Sequence, residues 1–476
     1  MLTWDATEIA ARIAAREVKA VEVLDAVLDR IQETQPRLNS FTVVLGDEAR
    51  AQALAADEAV ARGAPLGPLH GVPVSIKDVI WVADVPATQG SRAFDGYRPQ
   101  ADAVPVARLR QAGAVIVGKT NNPEMCLGGY CANDVFGVSR NPWDPDRTPG
   151  GSSGGAAASV AAGAGALALG TDGGGSIRTP ASYCGVVGCK PTFGVVPDAP
   201  GFRGWRTLSV VGPIARTVRD ASLALGVIAG PHPADPATLG VSRPTGSRAG
   251  GRPVGELRIA ASVDLGFAPV APDVRAAFAG AVEALRGEGL RLDEAWPQTG
   301  DPAELWTRVA SAEGSAAYAA LLDRRHLLEE RTAAIIDARS ASPAAEYLDA
   351  LEERREFAST WAEFFSRYDI LITPTMQDTA FPAEDVMPAT IDGNTVDPDL
   401  EDWCQFLLPL NLTGQPAVTI PCGTDRHGLP IGLQIIGRHG DEATVLAVAE
   451  AYEQIAGWSG LPDTIARSTT RSPAPR

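Results

Sequence analysis

Three short stretches concentrate side chains able to do group-transfer chemistry: GGSSGG at Gly150–Gly155, TDGGGSIR at Thr171–Arg178, and a lysine, Lys77, at the end of the alternating apolar run Val72, Val74, Ile76. Three consecutive residues without a Cβ let the backbone reach unusual dihedrals, so several amide N–H groups can converge on one bound oxygen beside Ser176. That is the provision a developing oxyanion needs. A lysine can act as a proton acceptor if burial draws its pKa from about 10.4 toward neutrality. A solvated serine in a flexible glycine loop is the ordinary reading of either motif alone. The two together, following a lysine at a strand end, form a much rarer combination.

Two familiar expressions compete for these residues. Gly150, Ser152 and Gly154 match GxSxG, the nucleophile elbow, which requires a strand before the serine and a helix after it. The preceding NPWDPDRTP carries Pro142, Pro145 and Pro149, so a central strand cannot end there. The elbow also needs a histidine base, and His70, His232, His326, His427 and His439 all lie in unremarkable surroundings. GAVIVGKT at Gly113–Thr120 matches the phosphate-loop expression, but Ala114–Val117 favours a buried strand and Asn121, Asn122 and Pro123 open a loop where a helix should start.

The elements that must hold these groups alternate between strand and helix. Short apolar runs at Ala114–Val117, Ala166–Leu169, Leu257–Ala261, Ile370–Ile372, Ala417–Ile420 and Leu433–Ile436 read as strands. Helical patterns fall at Ala156–Ala162, Pro272–Leu285 and after Asp441, and an N-terminal helix carrying Val23, Leu24, Val27, Leu28 and Ile31 should end before Pro36. The pattern predicts an α/β fold with one large sheet covered by helices. Glu304–Glu356 is helical almost throughout and is placed to cap the site. Pro231–Pro253 reads as an exposed connection and Ser468–Arg476 as a disordered tail.

The 476 residues carry 41 basic and 58 acidic side chains, a net charge of -17, which disfavours nucleic acid and anionic membranes as partners. No secretion signal and no membrane span is evident, so a cytoplasmic protein acting on a small neutral molecule is expected. Cys126, Cys131, Cys184, Cys189, Cys404 and Cys422 lack zinc-site spacing and read as reduced core thiols. No metal and no cofactor is expected.

GVPVSIKD (Gly71–Asp78), GKTNNPE (Gly118–Glu124), NPWDPDRTPGGSSGG (Asn141–Gly155), GTDGGGSIRTPASYCGVVGCKPT (Gly170–Thr192) and GLPIGLQIIG (Gly428–Gly437) resemble the blocks of the amidase signature family. The resemblance is strongest over residues 69–218 and poor between Pro231 and Tyr368. It implies a mixed central sheet with helices on both faces, as one amidase domain over residues 1–467, with a helical segment at 1–68 and a variable helical region at 300–367. It further implies a triad in which Ser176 is the nucleophile, Ser152 a proton relay and Lys77 the base. By the same resemblance, amides of Gly173, Gly174, Gly175 and Ser176 form the oxyanion hole, and the Cys126 carbonyl lies near the substrate amide.

The activity so implied is hydrolysis of a carboxylic amide through an acyl-enzyme. An ammonia-releasing subunit of a glutaminyl-tRNA-forming amidotransferase is the alternative, though Phe193–Pro213 reads more like a stand-alone amidase; the assembly considered is a homodimer. Esters and carbamates stay open, because the same chemistry accepts other leaving groups. Asp172 and Arg178 are expected to pair and fix the loop, Ser153 to be structural, Trp81 to pack, and Trp205 and Trp403 to be candidate pocket walls.

Overall fold

A computed structural model describes residues 1–202, 204–241, 252–340, 343–397, 400 and 402–458, with 338–340 described by their backbone only. The expected C-terminal tail lies outside the described residues, as does much of the Pro231–Pro253 connection.

Period-two alternation in buried, β-branched segments builds one eleven-stranded sheet. Its strands are β1 (Phe41–Val44), β2 (Pro73–Lys77), β3 (Val115–Thr120), β4 (Leu167–Asp172), β5 (Val187–Lys190), β6 (Val210–Ala215), β7 (Ile259–Ala261), β8 (Leu292–Glu294), β9 (Ile370–Pro374), β10 (Ala417–Thr424) and β11 (Pro430–Gly437). They lie side by side in the order β1-β3-β2-β4-β6-β5-β10-β11-β9-β7-β8. β2 is parallel to both β3 and β4, while β4 to β6, β6 to β5, β5 to β10 and β10 to β11 are antiparallel, so the sheet is mixed.

Helices cover both faces. Val74, Ile76, Leu167 and Leu169 join the core that holds Val218, Ala221 and Leu225 of the helix Val218–Ile228. Ala168 and Ile214 face the other way, onto the wholly buried helix Gly154–Ala161. The small side chains of that helix let its backbone approach closely: a Cβ on Gly155 would come 2.5 Å from Asn121 N and Ser40 O. Ser75 Oγ is 3.4 Å from Ser159 Oγ, so alternation along β2 places Lys77 on the same face, toward this helix. Asp78 is aimed elsewhere and accepts from Thr88 N at 2.9 Å.

Two expectations change. The helix Ala20–Leu38 runs through Pro36 instead of stopping before it. The proline sits in the last turn, where one absent N–H removes a single bond, and Asn39 closes the helix in the left-handed conformation. β3 also extends through Lys119 and Thr120, whose lysine donates to Asp78 O at 2.8 Å, so the whole GKT run is strand. The 304–356 region divides into helices Ala303–Tyr318, Glu330–Ser340 and Ala344–Arg367 with a 3-10 stretch at Ala319–Leu327.

Candidate active site

Lys77 ends β2 and is completely buried. Its Nζ donates to Ser152 Oγ at 2.6 Å and to Thr171 Oγ1 at 2.7 Å. Among the described residues no carboxylate is hydrogen-bonded to it. Desolvation therefore dominates and pushes the Lys77 pKa below the ordinary lysine value, opposed only in part by Cys126, Cys131 and Asp172.

Ser152 is held in the turn before the helix Gly154–Ala161, joined to Gly151 through a cis peptide bond. Gly151 has no room for a side chain, since a Cβ there would lie 1.8 Å from Tyr130 O. No strand precedes Ser152. Ser153 ties this turn to the next loop: its N–H donates to Ser176 O at 3.1 Å, and its Oγ both donates to Thr171 O and accepts from Thr171 N at 3.2 Å.

β4 ends at Asp172, and the glycines that follow are packed from outside by large apolar side chains. A Cβ on Gly173 would come 2.4 Å from Trp205, and one on Gly174 would come 2.6 Å from Trp306. Trp306 Nε1 also donates to Gly173 O at 3.0 Å, fixing that peptide's orientation. Gly175 adopts φ +114 and abuts Leu407.

Beneath the loop, Asp172 and Arg178 form an ion pair with both side chains at 0% exposure. Asp172 accepts from Arg178 Nη2 at 2.8 Å, Arg178 Nε at 2.9 Å, Asn411 Nδ2 at 3.0 Å and Gly175 N at 2.9 Å. Burial alone would raise the Asp172 carboxyl, but Arg178, Lys190 and Asn411 outweigh it and hold the pKa well below the usual carboxylate range. The Gly175 N–H, expected from the resemblance among the oxyanion donors, is here donated to Asp172.

Cys126 follows Met125 in a tight turn where both residues, neither of them glycine, have positive φ, 61° and 53°. Its carbonyl already accepts from Gly128 N at 3.1 Å, leaving one lone-pair direction over. Met125 N donates to Gln89 O at 2.8 Å, which anchors the turn.

Ser152, Thr171, Gly173, Ser176 and Cys126 line one cavity. Lys77 lies behind Ser152 and Thr171, shielded from it. Apolar side chains, Val79, Ile80, Met125, Phe202 and Trp205, form most of the remaining wall, with Tyr318, Ser209 and Asp198. None of the five histidines lines it, and among the described residues no three His, Cys, Asp or Glu side chains gather as a metal site would require.

Of the aromatic residues singled out from sequence, Trp205 lines the cavity, whereas Trp403 packs against Gly129 and the Phe381 ring, away from it. Trp81 packs against Tyr97 and Phe202. Thr171, Trp306, Tyr318 and Asn411 escape a reading of the sequence alone. Thr171 has a usable signal, being directly before the glycine loop; the other three come from distant segments with no local signal.

Residues 22–446 match the Amidase family. An acylamidase from Rhodococcus erythropolis is 37% identical over 96% of this chain and 97% of its own length. A glutamyl-tRNA(Gln) amidotransferase subunit from Chloroflexus aurantiacus is 38% identical over 95% of this chain and 96% of its own. The crystal structure of a bacterial aryl acylamidase of the amidase signature family superposes with a TM-score of 0.90 at 29% identity, covering 97% of this chain and 98% of that one. With blocks, fold and relatives in agreement over nearly its whole length, the chain belongs to the amidase signature family and is an amide hydrolase.

Proposed function

We propose that Ser176 is the nucleophile, Ser152 the proton relay and Lys77 the base of this amidase. The observation that carries the reading is the Lys77 amine: completely buried, 2.6 Å from Ser152 Oγ, and depressed in pKa by desolvation. Once deprotonated, its nitrogen offers a lone pair to the Ser152 hydroxyl proton, and Ser152 in turn takes the proton of Ser176. Ser176 Oγ adds to the amide carbonyl, and the negative oxygen is met by amides of Gly173, Gly174 and Ser176. Collapse breaks the C–N bond as the proton returns through Ser152 to the leaving nitrogen. Water then attacks the acyl-enzyme by the same relay, releasing a carboxylate and restoring Ser176.

Donors fixed before the reaction are worth more than donors that must be recruited, and removing one typically costs about 100- to 1,000-fold in rate. The packing of Trp306 and Leu407 on the glycines, and of Asp172 beneath them, supplies such fixation. The triad and its loop belong to one amidase domain, which we take to span residues 1–467 and to work in the cytoplasm, where its cysteines stay thiols.

The wall favours an apolar or aromatic acyl group. Glutamine brings a charged α-carboxylate and α-ammonium, which suit a wall formed largely by Val79, Ile80, Met125, Phe202 and Trp205 poorly. The stand-alone reading is therefore preferred over the ammonia-supplying one, despite the likeness to the amidotransferase protein. Ammonia release from benzamide, hexanamide and glutamine by the purified chain alone tests this. Turnover of the first two above glutamine is expected; activity on glutamine alone, or only with added partners, would contradict it.

A further inference from the structure

We propose that Tyr318 is a specificity-determining residue whose hydroxyl oxygen accepts a hydrogen bond from the N–H of the scissile amide, so that the site selects N–H amides over esters of the same acid. The inference rests on the reading of Ser176 as nucleophile and adds a role for the variable helical region. Tyr318 is the last residue of the helix Ala303–Tyr318 and lines the same cavity as Ser152 and Ser176. Its oxygen lies close to Gly204, also in the lining, where a Cβ would come 2.9 Å from it.

The hydroxyl proton is already committed. Tyr318 Oη donates to Gln89 Oε1 at 3.2 Å. Gln89 is itself completely buried, and its backbone, at φ +54, holds Met125 N through its carbonyl, so the residue is fixed in place beside the Cys126 turn and its side chain has no solvent to swing into. A phenol whose proton points at Gln89 has only lone pairs to offer the cavity. Burial, with Cys126 and Asp198 nearby, pushes the Tyr318 pKa above the ordinary tyrosine value, so the proton stays in place at any working pH. An amide N–H arriving over Ser176 finds an acceptor there; an ester oxygen brings lone pairs to lone pairs and gains nothing.

The test is kcat/KM on benzamide and methyl benzoate for the full chain. Tyr318→Phe should lower the benzamide value about 10-fold while methyl benzoate stays within about 2-fold, the loss expected for one hydrogen bond. Gln89→Leu frees the proton and should shift the ratio in the direction of Tyr318→Phe, which serves if the phenylalanine variant is poorly folded by thermal melting. Equal losses on both substrates, or an unchanged ratio in both variants, would overturn the proposal and leave the triad standing. Unchanged activity on both substrates in Ser176→Ala would overturn the nucleophile assignment instead.

Discussion

Thr171 Oγ1 lies 2.7 Å from Lys77 Nζ, almost as close as Ser152 Oγ at 2.6 Å, so the buried amine is held between two hydroxyls rather than by a carboxylate. A hydroxyl oxygen accepting from the amine helps the ammonium form without supplying a full countercharge. Thr171→Val keeps the branched shape and removes that acceptor, so the Lys77 pKa should fall further. The base form then persists to lower pH. The acid limb of kcat/KM is expected to move down in pH, with a loss of about 10-fold at the optimum from the misplaced amine. A pH-rate profile checks both, and an acid limb that moves up would contradict this account of Lys77.

Two further lysines are buried away from the cavity, and their titration should appear in stability. Desolvation lowers Lys190 to about 7 and Lys119 to about 8, against an ordinary value near 10.5. Between the folded and unfolded values the unfolded chain holds a proton that the folded chain has released. Unfolding free energy from these groups therefore rises with pH through that window. Thermal melts at pH 7 and 8.5 should show wild type gaining stability relative to Lys190→Met across the interval.

Arg178 and Asp172 have 0% exposure, and their pairing supports the loop before Ser176. Arg178→Met strands a buried carboxylate that also holds Gly175 N, which should cost about 3–5 kcal/mol of stability by urea denaturation. Replacing the pair together, Asp172→Asn with Arg178→Met, should recover part of that loss without recovering full activity, because a neutral amide oxygen holds Gly175 N less strongly than the carboxylate does.

Much of the site is legible in the sequence because its parts are local. Lys77 announces itself by ending an alternating strand, and the face it occupies follows from the same alternation that turns Asp78 toward Thr88. The prolines before Gly150 argue against a strand ahead of Ser152, and the turn there has none. What stays hidden depends on contacts between segments far apart in the chain. Trp306 and Leu407 explain why Gly174 and Gly175 cannot carry side chains, yet nothing in either segment's own pattern points to the loop. Trp403 shows the opposite error, since a large aromatic residue reads equally well as wall or packing until its neighbours are known. Pro36 misleads because a proline's cost depends on its place in the helix, and in the last turn it is small.

The assignment of roles to the two serines is tested most directly by site-specific acylation. The full chain is treated with a serine-reactive fluorophosphonate, digested, and the modified residue located by mass spectrometry. The adduct is expected on Ser176, absent from Ser176→Ala and formed far more slowly in Lys77→Ala. An adduct on Ser152 that persists in Ser176→Ala would contradict the account.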